Sequence, residues 1–176
     1  MDLQVSTAVK PMEEGTMARY GIGIIGTGWV AGPYVQAFRQ DPRAEMRAIC
    51  SREAARGRAF AAEYGLEGCA VYTDPRDLVK DDRVQVVVLC TPNHLHAEQT
   101  IAAADQGKHI VVEKPIALTW PDMQAMWAAV ARAGVRTVVG FVLRWHPLLE
   151  TLKQLLAEDV IGRVFYGEVD YLHGVR

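Results

Sequence analysis

Short apolar runs alternate with helix-patterned segments from Tyr20 to Gly140, about six times in succession. Parallel strands need a crossover between them, and a helix is the usual one, so this order predicts a doubly wound parallel α/β sheet of the Rossmann type. Its clearest member is the strand predicted from Val84 to Leu89, where Val86, Val87, Val88 and Leu89 are consecutive. A strand apolar on both faces is buried on both faces, which places it at the centre of the sheet. Further strands are predicted at Ile22 to Ile25, Met46 to Cys50, His109 to Val112 and Arg136 to Gly140, with a weak one at Ala70 to Tyr72.

The intervening helices carry their own start and stop signals. One runs from Trp29 to Gln40 and stops at Asp41-Pro42. Ser51 is the expected cap of the next, which ends at Tyr64-Gly65, and Asp74-Pro75-x-Asp77 reads as a cap, a first-turn proline and an acid. A helix from about His94 to Gln106 closes on Gly107. Thr119 caps a helix whose Met123, Met126, Trp127 and Val130 share one face and are assigned to the core. Beyond Gly140, Leu148, Leu149, Leu152, Leu155 and Leu156 form one more helical stripe, and Arg163 to Leu172 alternates like a strand with one polar face. Three regions follow: a flexible N-terminal extension over 1–19, an α/β domain over 20–140, and one further helix and strand over 141–176, too little for an independent domain.

Composition narrows the function. The 176 residues carry a formal net charge of −2, which offers no electrostatic footprint for nucleic acid or an anionic membrane. No apolar run approaches the roughly 18 residues of a membrane span. Residues 1–19 contain neither an apolar signal core nor a twin-arginine pair, and Met17 is an alternative start. Cys50, Cys69 and Cys90 form no C-x-x-C pair and are odd in number, so reduced thiols and a cytoplasmic setting are expected, without a disulfide framework or a metal site.

The chemistry starts at Gly26-Thr27-Gly28-Trp29-Val30-Ala31, a G-x-G-x-x-A segment between the first predicted strand and helix. There the first glycine permits a tight turn and the second lets backbone N–H groups approach a pyrophosphate. The small Ala31 lets the helix pack close to the sheet. The helix N-terminus adds partial positive charge for the phosphates. At the end of the second strand, where NAD enzymes usually place an acid on the ribose 2′-hydroxyl, this chain reads Ile49-Cys50-Ser51-Arg52. A hydroxyl and a planar cation suit a 2′-phosphate, so NADP(H) is favoured over NAD(H). Arg56 lies one turn on, and Glu53 remains an alternative ribose contact. An exposed Arg52 on a solvated helix start is the bland alternative.

Two later segments, Cys90-Thr91-Pro92-Asn93-His94-Leu95-His96 and Gly107-Lys108-His109-Ile110-Val111-Val112-Glu113-Lys114-Pro115, follow the glycine loop in order, and Arg144 and Pro147 stand in R-W-H-P. On these motifs the chain from Tyr20 onward resembles the Gfo/Idh/MocA oxidoreductases, the glucose–fructose oxidoreductase and inositol dehydrogenase family. The resemblance implies a nicotinamide-dependent dehydrogenase acting on a small-molecule sugar, cyclic polyol or related hydroxy compound. It implies Lys114 as the catalytic residue, beside the nicotinamide and the substrate hydroxyl, where it would orient substrate, stabilise alkoxide charge or help pass a proton. Glu113 is implied to contact the ribose or to hold Lys114. Thr91, Pro92, Asn93 and His96 are implied to line the cofactor alongside Gly26, Thr27, Gly28, Trp29, Val30, Ser51 and Arg52. His96 is equally placed for a structural hydrogen bond, and Arg144 for tying two domains together.

Members of that family are about twice as long, and their acid/base histidine belongs to a downstream domain. The resemblance implies an NAD(P)-binding domain over 20–140 and the truncated start of an α+β substrate and oligomerisation domain over 141–176, a cofactor half without its substrate half. It would work as part of an oxidoreductase, in a longer polypeptide or a homo-oligomer; the alternative is a dinucleotide-binding module without turnover of its own. The apolar residues of 163–172 are expected to drive association.

Overall fold

The structure, a computed structural model, describes residues 19–170 and 172. Six parallel strands, β1 (Tyr20–Ile25), β2 (Ala44–Cys50), β3 (Ala70–Tyr72), β4 (Val86–Leu89), β5 (His109–Val112) and β6 (Thr137–Val139), form one sheet in the order β3-β2-β1-β4-β5-β6. The order reverses between β1 and β4, which opens the crevice where doubly wound sheets hold ligands. Every predicted strand in this region is present, with ends moved by one or two residues.

The core divides by strand parity. Ile22, Ile24, Ile49 and Val88 point to one face and pack with Ala31 and Val35 of α1 (Ala31–Gln40) and Phe60 and Ala61 of α2 (Ala54–Glu63). Ile25, Ala48, Val87, Leu89 and Ile110 point to the other. There they meet Leu78 and Val79 of α3 (Pro75–Val79), Ala103 and Ala104 of α4 (His96–Asp105) and Ala129 of α5 (Trp120–Ala133). Successive side chains of a strand alternate between faces, so the unbroken apolar runs supply both cores at once.

Caps follow chemistry with one correction. Asp74 accepts from the Arg76 N–H at the start of α3, and Thr119 accepts from the Asp122 N–H at the start of α5. Ser51 does not cap α2. Glu53 occupies that position without a side-chain cap bond, and Ser51 instead faces Thr27 of the glycine loop, hydroxyl to hydroxyl at 3.1 Å. Ser51 still extends the β2–β3 pairing, its N–H donating to the Tyr72 carbonyl, so it sits in the sheet before the helix begins.

A second correction concerns α5. Met126 is 2% exposed, but Trp127 is 67% exposed. The helix presents a narrow arc to the sheet through Met126 and Ala129, and one residue adds about 100° of rotation, which swings the indole off that arc.

The chain divides into two compact units, the second beginning at Gly140. It holds α6 (Pro147–Ala157), whose start is capped by His146 Nδ1 accepting from the Leu148 N–H. Its leucine stripe forms the expected helix. The expected strand at Arg163 to Leu172 does not form among the described residues, where 163–170 pair with no other strand; Tyr171 lies outside them, as does the expected extension except Arg19. A lone strand leaves its backbone groups without ladder partners, so extended sequence alone cannot make one.

Asp81 anchors the amino ends of β4 and β5. Its carboxylate takes Arg83 Nε and Nη2 and the Tyr72 hydroxyl, and Lys108 Nζ donates to the carbonyls of Asp81 and Val84. The Arg83 guanidinium holds the Asp81 carboxyl at about 2, below its ordinary range. A carboxyl depressed in the fold stabilises it above its unfolded value near 4, and that contribution is lost as pH falls toward 2. D81N should therefore lower the urea midpoint at pH 6 and flatten its decline between pH 4 and 2. For α5, M126A should cost about 2–4 kcal/mol and W127A less than about 0.5, read by urea unfolding; equal costs would refute the burial assignment.

Candidate functional site

The loops that follow β2, β1, β4 and β5 lie side by side, because the sheet's hydrogen bonding runs past the strands. Gly26 N–H donates to the Cys50 carbonyl, Cys90 N–H to Ile25 and Glu113 N–H to Leu89. The glycine loop, the segment from Cys90 and the Glu113-Lys114 turn thereby reach the carboxyl end of the sheet.

The glycine loop fits a dinucleotide phosphate. Gly26 has φ +99°, and a Cβ there would lie 2.5 Å from the Cys90 carbonyl oxygen, so the turn requires glycine on both counts. Beside Gly28 nothing lies within 4 Å of where a Cβ would stand. That open space faces the start of α1, where Val30 provides no side-chain cap and the first turn carries no acid. Uncapped N–H groups and the helix dipole make such an end receptive to an anion.

A cavity of about 680 Å³ runs from this loop across the ends of β2 and β4. It is lined by Gly26, Thr27, Gly28, Trp29 and Val30, by Ser51, Arg52, Glu53 and Arg56, and by Thr91 and Pro92. Trp29 stands 89% exposed at its edge. Arg56 Nη2 lies 3.4 Å from the Thr27 carbonyl, which ties the α2 cation to the loop. Arg76 and Glu98, both unforeseen from the sequence, also line the cavity and pair at 3.5 Å. Asn93, His96, Glu113 and Lys114 do not line it, and Arg144 belongs to the second compact unit.

His96, Glu113 and Lys114 belong to a neighbouring turn after β5 and its support. His96 is wholly buried, with Nε2 3.0 Å from the Thr91 carbonyl and Nδ1 2.9 Å from the Pro115 carbonyl. Of its two sequence readings, the structural one describes its contacts: it staples the loop after β4 to the turn after β5. Glu113 is 9% exposed, its Oε1 accepting from the Tyr34 hydroxyl at 2.7 Å and its Oε2 from the Lys114 N–H at 3.2 Å. Burial, then the adjacent Glu113 carboxylate, pushes the Tyr34 phenol well above its ordinary value, so it stays a donor. Lys114 follows at the carboxyl end of β5, exposed, before a cis Lys114–Pro115 bond. Tyr34 carried no signal in the sequence, because a tyrosine in an amphipathic helix reads as packing.

Residues 20–141 match the oxidoreductase family with an NAD-binding Rossmann fold, Gfo/Idh/MocA. The chain belongs to this family. It is 33% identical over 170 residues to levoglucosan dehydrogenase of Pseudarthrobacter phenanthrenivorans, covering 89% of this chain and 42% of that relative. Scyllo-inositol dehydrogenase of Lactobacillus casei, solved with bound NAD(H) and scyllo-inositol, superposes with a TM-score of 0.76 at 25% identity, over 82% of this chain and 42% of that one. A variant of a 3-ketoreductase from Actinomadura kijaniata, solved with TDP-benzene and NADP, superposes with a TM-score of 0.75 at 28% identity, over 83% and 46%. This family member thus spans less than half the length of the relatives it matches.

The cavity floor contains two thiols. Burial raises Cys50 and Cys90 to about 12, reinforced by Asp74 and Asp77 at Cys50 and by Glu113 at Cys90. At pH 8 only on the order of one in ten thousand of each is thiolate, against roughly a quarter for a free cysteine. With an aromatic disulfide reagent at pH 8, the half-buried Cys69 should react first, and Cys50 and Cys90 only as the chain unfolds. Three equal, fast thiols would contradict this burial.

Proposed function

We propose that the chain is the cofactor-binding part of a nicotinamide-dependent oxidoreductase acting on a hydroxyl group of a sugar or cyclic polyol, and that it takes NADP(H) in preference to NAD(H). The observation that carries the cofactor choice is the wall at the end of β2, where Ser51, Arg52 and Arg56 line the cavity. A guanidinium reads a phosphate through two parallel hydrogen bonds, which a ribose hydroxyl cannot match. Glu53 on the same wall is the group through which NAD(H) would compete. Gly26, Thr27, Gly28, Trp29 and Val30 would hold the pyrophosphate, with Thr91 and Pro92 continuing the cofactor surface and Asn93, outside the cavity wall, following them in the chain.

When bound, the cofactor supplies hydride transfer. Lys114 is the candidate catalytic residue; its ammonium, on a turn pinned from both sides, would orient the substrate oxygen and stabilise charge developing there. Glu113 and His96 hold that turn. The sugar or polyol substrate rests on the names of the relatives. Arg144 would add a cofactor or interdomain contact. A reducing, cytoplasmic setting suits the three free thiols. Phe165 and Val169, both strongly exposed, would mediate association with another copy or with further sequence. Binding without turnover is a second reading for this chain alone, favoured by the exposure of Lys114.

Trp29 at the cavity edge should report binding directly. Titration of the chain with NADPH should quench it saturably and more tightly than NADH. R52A should weaken NADPH by about tenfold or more, equivalent to about 1.4 kcal/mol, and NADH by less than about threefold. NADH binding as tightly as NADPH would overturn the preference, and no binding of either would overturn the function.

A further inference from the structure

We propose that Tyr34 of α1 is a positioning residue for the Glu113–Lys114 turn, setting the backbone from which Lys114 reaches the reacting groups. The proposal rests on the reading that Glu113 and Lys114 serve the nicotinamide end of the site.

The geometry forms a short chain of contacts. Tyr34 and Glu113 lie 79 residues apart in sequence, yet phenol and carboxylate meet at 2.7 Å. A bond of that length to an ionised acceptor is among the stronger neutral-donor contacts a protein makes. Its strength is passed on through Glu113, whose second oxygen takes the Lys114 N–H at 3.2 Å. A nearly buried carboxylate needs both oxygens satisfied, so loss of the phenol leaves Oε1 short of a donor and frees the side chain to turn. The Lys114 N–H then loses its acceptor.

The neighbouring restraints locate the effect at Lys114. Glu113 is fixed to the sheet by its N–H on the Leu89 carbonyl, and the Pro115 carbonyl lies 2.9 Å from His96 Nδ1. Between those points, among the described residues, the Lys114 peptide N–H is held by the carboxylate that Tyr34 orients. Tyr34 also sits one turn inside α1, the helix whose N-terminus closes the glycine loop. One rigid element therefore carries both the phosphate-facing N–H groups and the phenol that sets the lysine turn. The placement of that one helix therefore bears on both ends of the site.

The test compares the 176-residue chain with Y34F, which keeps the ring and its packing and removes one hydroxyl. Amide hydrogen exchange is followed by NMR, and NADPH binding by Trp29 quenching together with emission of the bound nicotinamide. Exchange at Lys114 should quicken by about tenfold or more in Y34F while Val87 and Val88 in β4 keep their rates. Trp29 quenching should still saturate, and the emission of bound nicotinamide should fall by about half as its surroundings loosen. A merely structural tyrosine would move all the amides together. Unchanged exchange at Lys114 overturns the proposal, whatever happens to binding. Absence of NADPH quenching in the wild type overturns the functional reading instead, and the Lys114 amide still decides the role of Tyr34.

Discussion

The site depends on backbone hydrogen bonds that continue past the ends of four strands. Gly26 to Cys50, Cys90 to Ile25 and Glu113 to Leu89 keep the β2, β1, β4 and β5 ends level. A parallel sheet buried on both faces cannot slide in register without moving apolar side chains to the wrong face, so these ends are fixed by the core beneath them. The loops inherit that rigidity. Glycine turn, Ser51-Arg52 wall, Thr91-Pro92 segment and Glu113-Lys114 turn come from regions far apart in sequence and still line one edge.

Above that edge, polar groups divide into those facing the cavity and those holding others in place. Thr27, Ser51, Arg52 and Arg56 belong to the first kind. His96, Glu113 and Tyr34 belong to the second, with their polar atoms occupied by protein partners. The division follows burial: a buried imidazole or carboxylate must find partners within the protein, whereas cavity-lining groups can wait for a ligand. Lys114 combines a restrained backbone with an exposed side chain.

Much of this was legible beforehand where the signal is local. Strand runs, the first-turn proline Pro75, the Asp74 and Thr119 caps and the tight turn at Gly26 depend on neighbours within a few residues, and they stand as expected. Trp127 went astray because periodicity gives a helix face without saying how wide an arc the sheet covers. Ser51 went astray because cap chemistry and sheet extension compete for one residue, and the Tyr72 carbonyl won. The 163–172 alternation failed because a strand exists only through its partner.

By itself, the sequence determined the class of fold, the order of the elements and the residue types at each loop, since these rest on short-range periodicity and backbone stereochemistry. Tertiary structure alone decided which of those residues meet. That Tyr34 would reach Glu113 across 79 positions, and that His96 would bridge Thr91 and Pro115, depends on how α1 and α4 lie on the sheet. Helix placement is set by the combined packing of both cores, a sum over distant contacts that no local stretch of sequence encodes.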